Sequence, residues 1–548
     1  IIIFSMIRAT NRQRHITFLI RAYHITAVAK TTTPKEKHSL TINHTQTISL
    51  ASKMRSSSPC DSVRESCFRL MSDLPTSITL NVETLQKDRD VDEQTKQIKK
   101  QKGLRSVGLN VKELSKLSND IVTSVLSKQS SSSSLKKDNE GTEEEASALW
   151  NVADWDADGW HYTAKKYTRS NVSFSKLQEQ KMERVALYVL TLDAMNFCFW
   201  PTSLFEEEKE KNTKEGGEEE DNPLEYEHLA IALRILAEID DDPDFNASNN
   251  GNDNENNSII TCDETFALSP KNLSTLTPSK LKTLLTPHLT AQFTPKEENN
   301  TNSTCTIPLL QERTRLLNEL GSNLIQYHNG SALHMIQKAQ KSSSSLVQII
   351  TCTFPGYRDE SIDWKGQQCF FYKRAQIVVA DLWASVGDCG RRRGKEKKSD
   401  YDNPCHFKDI QSLTTFADYR IPQLLRHLGV LRYDDDLSSK VDSKQELMAG
   451  SMDELYIRAS AVVAVEKLVQ LVRDELLSMC RASDDGVGVV EDGEGGDENE
   501  KKMMKTKCKI LADDVSAVKL DWYLWNLGEQ MDREGKLGPH HRVRTIFY

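Results

Sequence analysis

The sequence predicts a mainly α-helical protein, one folded unit interrupted by long polar insertions, and three observations carry that expectation. Apolar residues recur at i, i+3, i+4 and i+7 in window after window, with proline, glycine or capping residues at several of the boundaries. Runs of β-rich residues alternating with such helices do not recur, which argues against a parallel sheet. Hydrophobic residues make up only 38% of the 548 and the mean hydropathy is −0.55, so polar stretches dilute a smaller folded portion.

Composition also excludes several function classes. No run of about 18 apolar residues occurs, so no membrane span is expected. The formal net charge of −9 argues against a binder of duplex DNA or RNA, which needs a basic face. Eleven cysteines, odd in number and without a C-x-x-C pair, suit neither a disulfide framework nor a zinc site, and read as reduced thiols in an intracellular compartment. The phosphate-loop, dinucleotide-binding, zinc-protease and nucleophile-elbow signatures are absent. Neither a metal nor a cofactor is expected.

Taken in order, residues 1–60 are basic and rich in Ser and Thr, with Glu36 the only acid before Asp61. That composition resembles an organelle transit peptide. The expectation is a disordered or transit-like extension over 1–60 and one domain over 61–548, with insertions near 128–148, 204–222, 240–258, 387–402 and 484–502. Helical patterns cover 62–70 and 111–126. Asp154, Asp156 and Asp158 alternate as calcium ligands do, but no acid stands at the twelfth position, so the EF-hand pattern fails. His161, in a stretch with three tryptophans, reads on its own as a core histidine or a pocket wall. Further helices are expected at 182–200, 228–239, 277–289 and 309–327. Asn196, inside an aromatic run, needs hydrogen-bond partners if buried.

The densest text begins at residue 346. Phe354-Pro355-Gly356-Tyr357-Arg358-Asp359 reads as a turn closed by an Arg–Asp pair. Residues 370–383 form a helix apolar nearly all round, hence buried. On it, Lys373 and Arg374 must snorkel, pair with acids or face an anion. Within 407–433, Pro422 belongs in the first turn of a helix whose apolar stripe is Ile421, Leu424, Leu425 and Leu428, and Gly429 stops it. Asp418 stands just before that start. Read alone it is an N-cap, and the positive end of the helix dipole favours its ionised form. A capping box at 451–454 opens a long helix to 477. An aromatic helix carrying Asp521 then precedes a basic, apolar terminus that includes Arg542 and Arg544.

Several strings together resemble a known family. F-K-D-I-x-S-L-T-x-F-A-D-Y-R-I-P-Q-x-L-x-H-L-G at 407–429, F-Y-K-R-A-Q-I at 371–377, L-D-x-Y-L-W at 520–525 and H-R-V-R-T-I-F-Y at 541–548 are similar to the queuosine salvage family, as are L-D-A-M-N-F-C-F-W at 192–200 and F-P-G-Y-R-D at 354–359. The resemblance implies a helical fold related to helix-hairpin-helix DNA glycosylases and hydrolysis of queuosine 5′-monophosphate to queuine and ribose 5-phosphate. It implies Asp418 as the catalytic carboxylate, nucleophile or oxocarbenium stabiliser. Phe416, Asp521, Trp522, His161 and Asn526 would contact the base; at 526 the family can carry Asp, and Asn keeps an acceptor but loses the charge. A 5′-phosphate calls for cations or backbone N–H groups, and Lys373 and Arg374 are the candidates, with Arg542 and Arg544 behind them. The expected partner is this small molecule alone, with no direct nucleic acid and no membrane. The protein is expected to act as a monomer in the cytoplasm, or in an organelle if the basic extension directs it there. The alternatives are a DNA or RNA base glycosylase of the same helical fold, which the acidic balance disfavours, and a non-catalytic queuosine-binding protein.

Overall fold

A computed structural model of the chain describes residues 58–72, 106–127, 159–163, 176–200, 221–239, 266–293, 304–386, 403–482 and 498–548. The extension up to Ser57, the alternating aspartates at 154–158 and most of the expected insertions lie outside the described residues.

The first helix, α1 (Pro59–Ser72), has proline in its first turn and buries Val63, Cys67 and Leu70 along one stripe. Strand β1 (Val107–Leu109) and α2 (Val111–Ser127) follow. Next come α3 (Lys176–Met195), β2 (Asp221–Pro223), α4 (Tyr226–Ile239), the short α5 (Pro270–Ser274), and α6 (Pro278–Phe293). After β3 (Thr304–Thr306), helices α7 (Leu310–His328), α8 (Ala332–Gln337) and α9 (Ser343–Thr353) lead to the hairpin of β4 (Glu360–Ile362) and β5 (Gln368–Phe370). The remaining elements are α10 (Lys373–Val386), α11 (Arg420–His427), β6 (Leu431–Tyr433), α12 (Asp435–Asp442), β7 (Glu446–Leu447), α13 (Met452–Ala482), α14 (Glu498–Asp514), α15 (Ala517–Arg533) and β8 (Arg542–Val543).

The protein is therefore mainly α. Among the described residues the strands form only two-stranded pairs: β1 with β6 and β4 with β5 are antiparallel, β2 with β3 and β7 with β8 parallel. The axis of the molecule is α13, 31 residues long and so about 46 Å end to end. Its residues Leu455, Val462, Val465, Leu468 and Val472 are buried, and α1, α2, α11, α14 and α15 all pack on it. A second layer forms where α10 packs along α3, itself backed by α7. Helix α7 approaches α5 so closely at Gly321 that a Cβ there would fall under 3.0 Å from the Pro270 carbonyl and the Ser274 amide.

The boundaries differ from the sequence reading in ways that matter for the site. The helix expected from 370 starts at Lys373, because Phe370 belongs to β5 and Tyr372 turns the chain at φ +50°. The helix expected through residue 200 ends at Met195, and the chain turns again at Cys198, where φ is +47°. The polar stretch read over 484–502 runs into α14 at Glu498. Asp359 does not pair with Arg358. Arg358 caps α9 by donating to the Thr351 and Cys352 carbonyls, and Asp359 turns inward to Arg458 of α13.

Candidate active site

Asp418 sits one residue before the N-cap of α11, which is Tyr419 and makes no side-chain cap bond; its Oδ1 still accepts from the Ile421 amide at 3.1 Å. Pro422 lies in the first turn, where no intrahelical N–H is needed. At the far end Gly429, at φ +72°, lets the Val430 amide return to the Leu425 carbonyl at 2.9 Å. The sequence reading placed the helix dipole in charge of Asp418. In the structure burial dominates and raises its pKa, opposed first by Lys373 and then by the Ile421 N–H bond.

The segment leading to Asp418 is held from two sides. From α10, Gln376 Oε1 accepts the Thr414 amide at 2.9 Å while its Nε2 donates to Thr414 Oγ1 at 2.9 Å. From α15, Asp521 Oδ1 accepts both the Phe416 amide, at 2.8 Å, and the Thr415 hydroxyl. Asp521 is buried, 3% exposed, and burial followed by the nearby Asp418 pushes its pKa up to about 8. Phe416, two residues before Asp418, is 4% exposed.

Lys373, at the first position of α10, is 3% exposed. Its Nζ donates to the Asn196 carbonyl at 3.3 Å and the Asn196 Oδ1 at 3.5 Å. Burial brings its pKa down to about 8, with Asp418 and then Asp193 the first charges to oppose that. Asp193 is buried at the end of α3, where burial raises its pKa against a hydrogen bond from Asn196. Two aspartates, a lysine and a third aspartate thus meet from α3, α10, the loop before α11, and α15.

Arg374 is placed differently. Its guanidinium donates to the carbonyls of Asp193 at 3.0 Å, Ala194 at 2.8 Å and Gly356 at 2.5 Å, and lies 4.8 Å from the Tyr357 ring centre. It caps the carboxyl end of α3. Arg313 of α7 does the same for the next turn, donating to the carbonyls of Met195, Phe197 and Cys198. Asn526 is exposed on α15, about 140° round the helix from Asp521 and so off its stripe. Trp522 stacks on Trp383 of α10, ring centres 5.9 Å apart and planes 12° from parallel. His161 is 8% exposed and its Nε2 bonds the Tyr226 hydroxyl at 3.0 Å. Tyr226 and Trp160 both pack edge-on against Trp525, one turn along α15 from Asp521.

Sequence reading missed Arg458, Asp193 and Thr415. Arg458 carried a signal, a lone cation in the apolar run Tyr456-Ile457-Arg458-Ala459; Thr415 carried none. Among the described residues no group of three His, Cys, Asp or Glu side chains could hold a metal ion, and no helix is long and apolar enough to cross a membrane.

The family model described as queuosine salvage protein matches residues 262–548. The chain belongs to the queuosine salvage family. Lys373, Asp418, Arg458 and Asp521 all fall inside the match, whereas Asp193 and His161 precede it. Three relatives each bear the name queuosine 5′-phosphate N-glycosylase/hydrolase. The Dictyostelium discoideum salvage protein is 33% identical over 393 residues, 72% of this chain and 85% of its own. That of Sphaerobacter thermophilus is 31% identical over 368 residues, covering 67% and 82%. The Mus musculus protein is 36% identical over 242 residues, covering 44% of this chain and 59% of its own length.

Proposed function

We propose that this chain is an N-glycosyl hydrolase that cleaves queuosine 5′-monophosphate, releasing queuine for salvage and leaving ribose 5-phosphate. The family membership and the names of the relatives support the reaction class. The observation that carries the residue assignment is the meeting of Asp418, Lys373 and Asp521 in one buried cluster.

Breaking a glycosidic C–N bond builds positive charge on the ribose, and a fixed carboxylate beneath the ring lowers that barrier, by charge or by holding the attacking water. Asp418 takes this role. Its backbone is fixed by the turn into α11, and Lys373 favours the ionised form against the cost of burial. Asp521 recognises the base. Both bonds from the 414–416 segment fall on its Oδ1, so Oδ2 is left for the base, and it accepts from the ring N–H and amino group of a guanine-like edge once it gives up the proton that burial holds there. Phe416 offers a ring face for stacking, and His161, held by Tyr226, forms the wall beyond Trp525. Trp522 supports α15 against α10 through its stack on Trp383 rather than through the base. Asn526 is left outside this constellation.

Of the two expected phosphate ligands, Arg374 is committed to three carbonyls. Lys373 is the cation that belongs to the reacting centre.

The test is product analysis by mass spectrometry with queuosine 5′-monophosphate, wild type against Asp418→Asn. Asn keeps an oxygen to accept from the Ile421 amide, so the variant folds, and turnover falls by about 100- to 1,000-fold or more. A modest loss would remove Asp418 from the role. No queuine from the wild type would remove the reaction.

A further inference from the structure

We infer that the buried pair Asp359–Arg458 is a positioning device that sets Lys373 against Asp418, and so governs turnover without touching the substrate. The inference rests on the proposed hydrolase reading of the site.

Asp359 holds the lysine side. Its carbonyl accepts the amides of Phe371, at 3.0 Å, and Tyr372, at 3.3 Å. Its Oδ2 accepts the Lys373 amide at 3.2 Å. These three bonds fix the reversal that starts α10, including Tyr372 at φ +50°, a conformation a bulky residue adopts only when its surroundings impose it. The direction in which Lys373 leaves the chain follows from that reversal.

Arg458 holds the aspartate side. Its Nε donates at 2.9 Å to the carbonyl of Ala417, the residue before Asp418. Its two terminal nitrogens grip Asp359 at 2.8 and 2.5 Å. The guanidinium lies over two rings, 4.0 Å from the centre of Phe371 and 4.3 Å from that of Tyr548. One planar group thus bonds both the loop bearing the carboxylate and the acid bearing the lysine. A bidentate fork with a third donor does this and an ammonium does not. If the pair served packing alone, only the Asp359 contact would be needed; the bond to the Ala417 carbonyl ties it to the catalytic loop.

Arg458→Lys keeps the charge and the contact with Asp359 but cannot also reach Ala417. The groups facing Asp418 are Lys373 from α10, Arg420 from α11 and Asp521 from α15. The expected result is a fall in kcat on the order of 100-fold with little change in KM. The acidic limb of the pH–rate profile moves to higher pH, because Asp418 drifts from Lys373. Melting temperature is measured alongside. A lower melting temperature with wild-type kcat and an unmoved acidic limb would mean a packing role and overturn the inference. Should Arg458→Lys not fold, Asp359→Asn, which keeps the acceptor's shape and weakens the grip, is read by the same two measurements. An inactive wild type refutes the hydrolase reading; an active wild type with an unaffected variant refutes this inference alone.

Discussion

Asp418 and Asp521 carry the same functional group and differ in what surrounds it. Asp418 has a lysine and a helix start against burial. Asp521 has a hydroxyl and an amide on one oxygen and a weaker pull from Lys373, with Asp418 itself raising its pKa. In the folded protein Asp521 therefore keeps its proton up to about pH 8, whereas an unfolded aspartate loses it near 4. A raised folded value stabilises fully below the unfolded pKa, and that contribution drains away as pH rises towards 8. Urea unfolding of the wild type from pH 5 to 8 should show stability falling by at most roughly 1.4 kcal/mol per pH unit from this group. Asp521→Asn, neutral throughout, should flatten part of that slope; equal slopes would contradict the assignment. The acid itself was legible from its motif. Its ionisation was not, because burial and the approach of Asp418 arise only when residues more than 100 positions apart, such as Phe416 and Asp521, come together.

At the scale of elements, periodicity and punctuation located most of the helices. Proline at the start and glycine at the end framed α11, as expected. Where the reading failed, backbone geometry outvoted composition: an apolar run spanning 370–383 is equally compatible with a strand, a turn and then a helix, and only the hydrogen bonds of Asp359 decide it. Close packing between elements was invisible in the same way. Gly321 looks like an ordinary interruption of a helix, yet it is where α7 touches α5 through backbone atoms. Those atoms cannot swing aside as a side chain would, so Gly321→Ala should destabilise the fold by about 1–3 kcal/mol despite the higher helix propensity of alanine. Thermal or urea denaturation measures it, and a stabilised variant would show that α5 can retreat.

Across the whole molecule, buried arginines act as rivets at chain reversals. Arg313 and Arg374 satisfy the carbonyls at the end of α3, and Arg458 joins α13 to two loops. Arg374→Gln leaves buried carbonyls without a donor, so the expected loss is roughly 3 kcal/mol or more of stability. Inhibition by ribose 5-phosphate should be unchanged, since the guanidinium faces carbonyls; a selective loss of that inhibition would return Arg374 to the phosphate. Of the three, sequence alone singled out Arg374, as snorkelling, paired or anion-binding. It could not choose a fourth option, capping distant helix ends, because the partners are backbone atoms that have no sequence signature.

The pairing of early with late segments also bears on how the polypeptide is made. Arg64 of α1 meets Glu466 across 402 positions, and β1 has no partner until β6 has been synthesised. At about 5–20 residues per second, the apolar stripe of α1 waits tens of seconds on the ribosome before its groove on α13 exists.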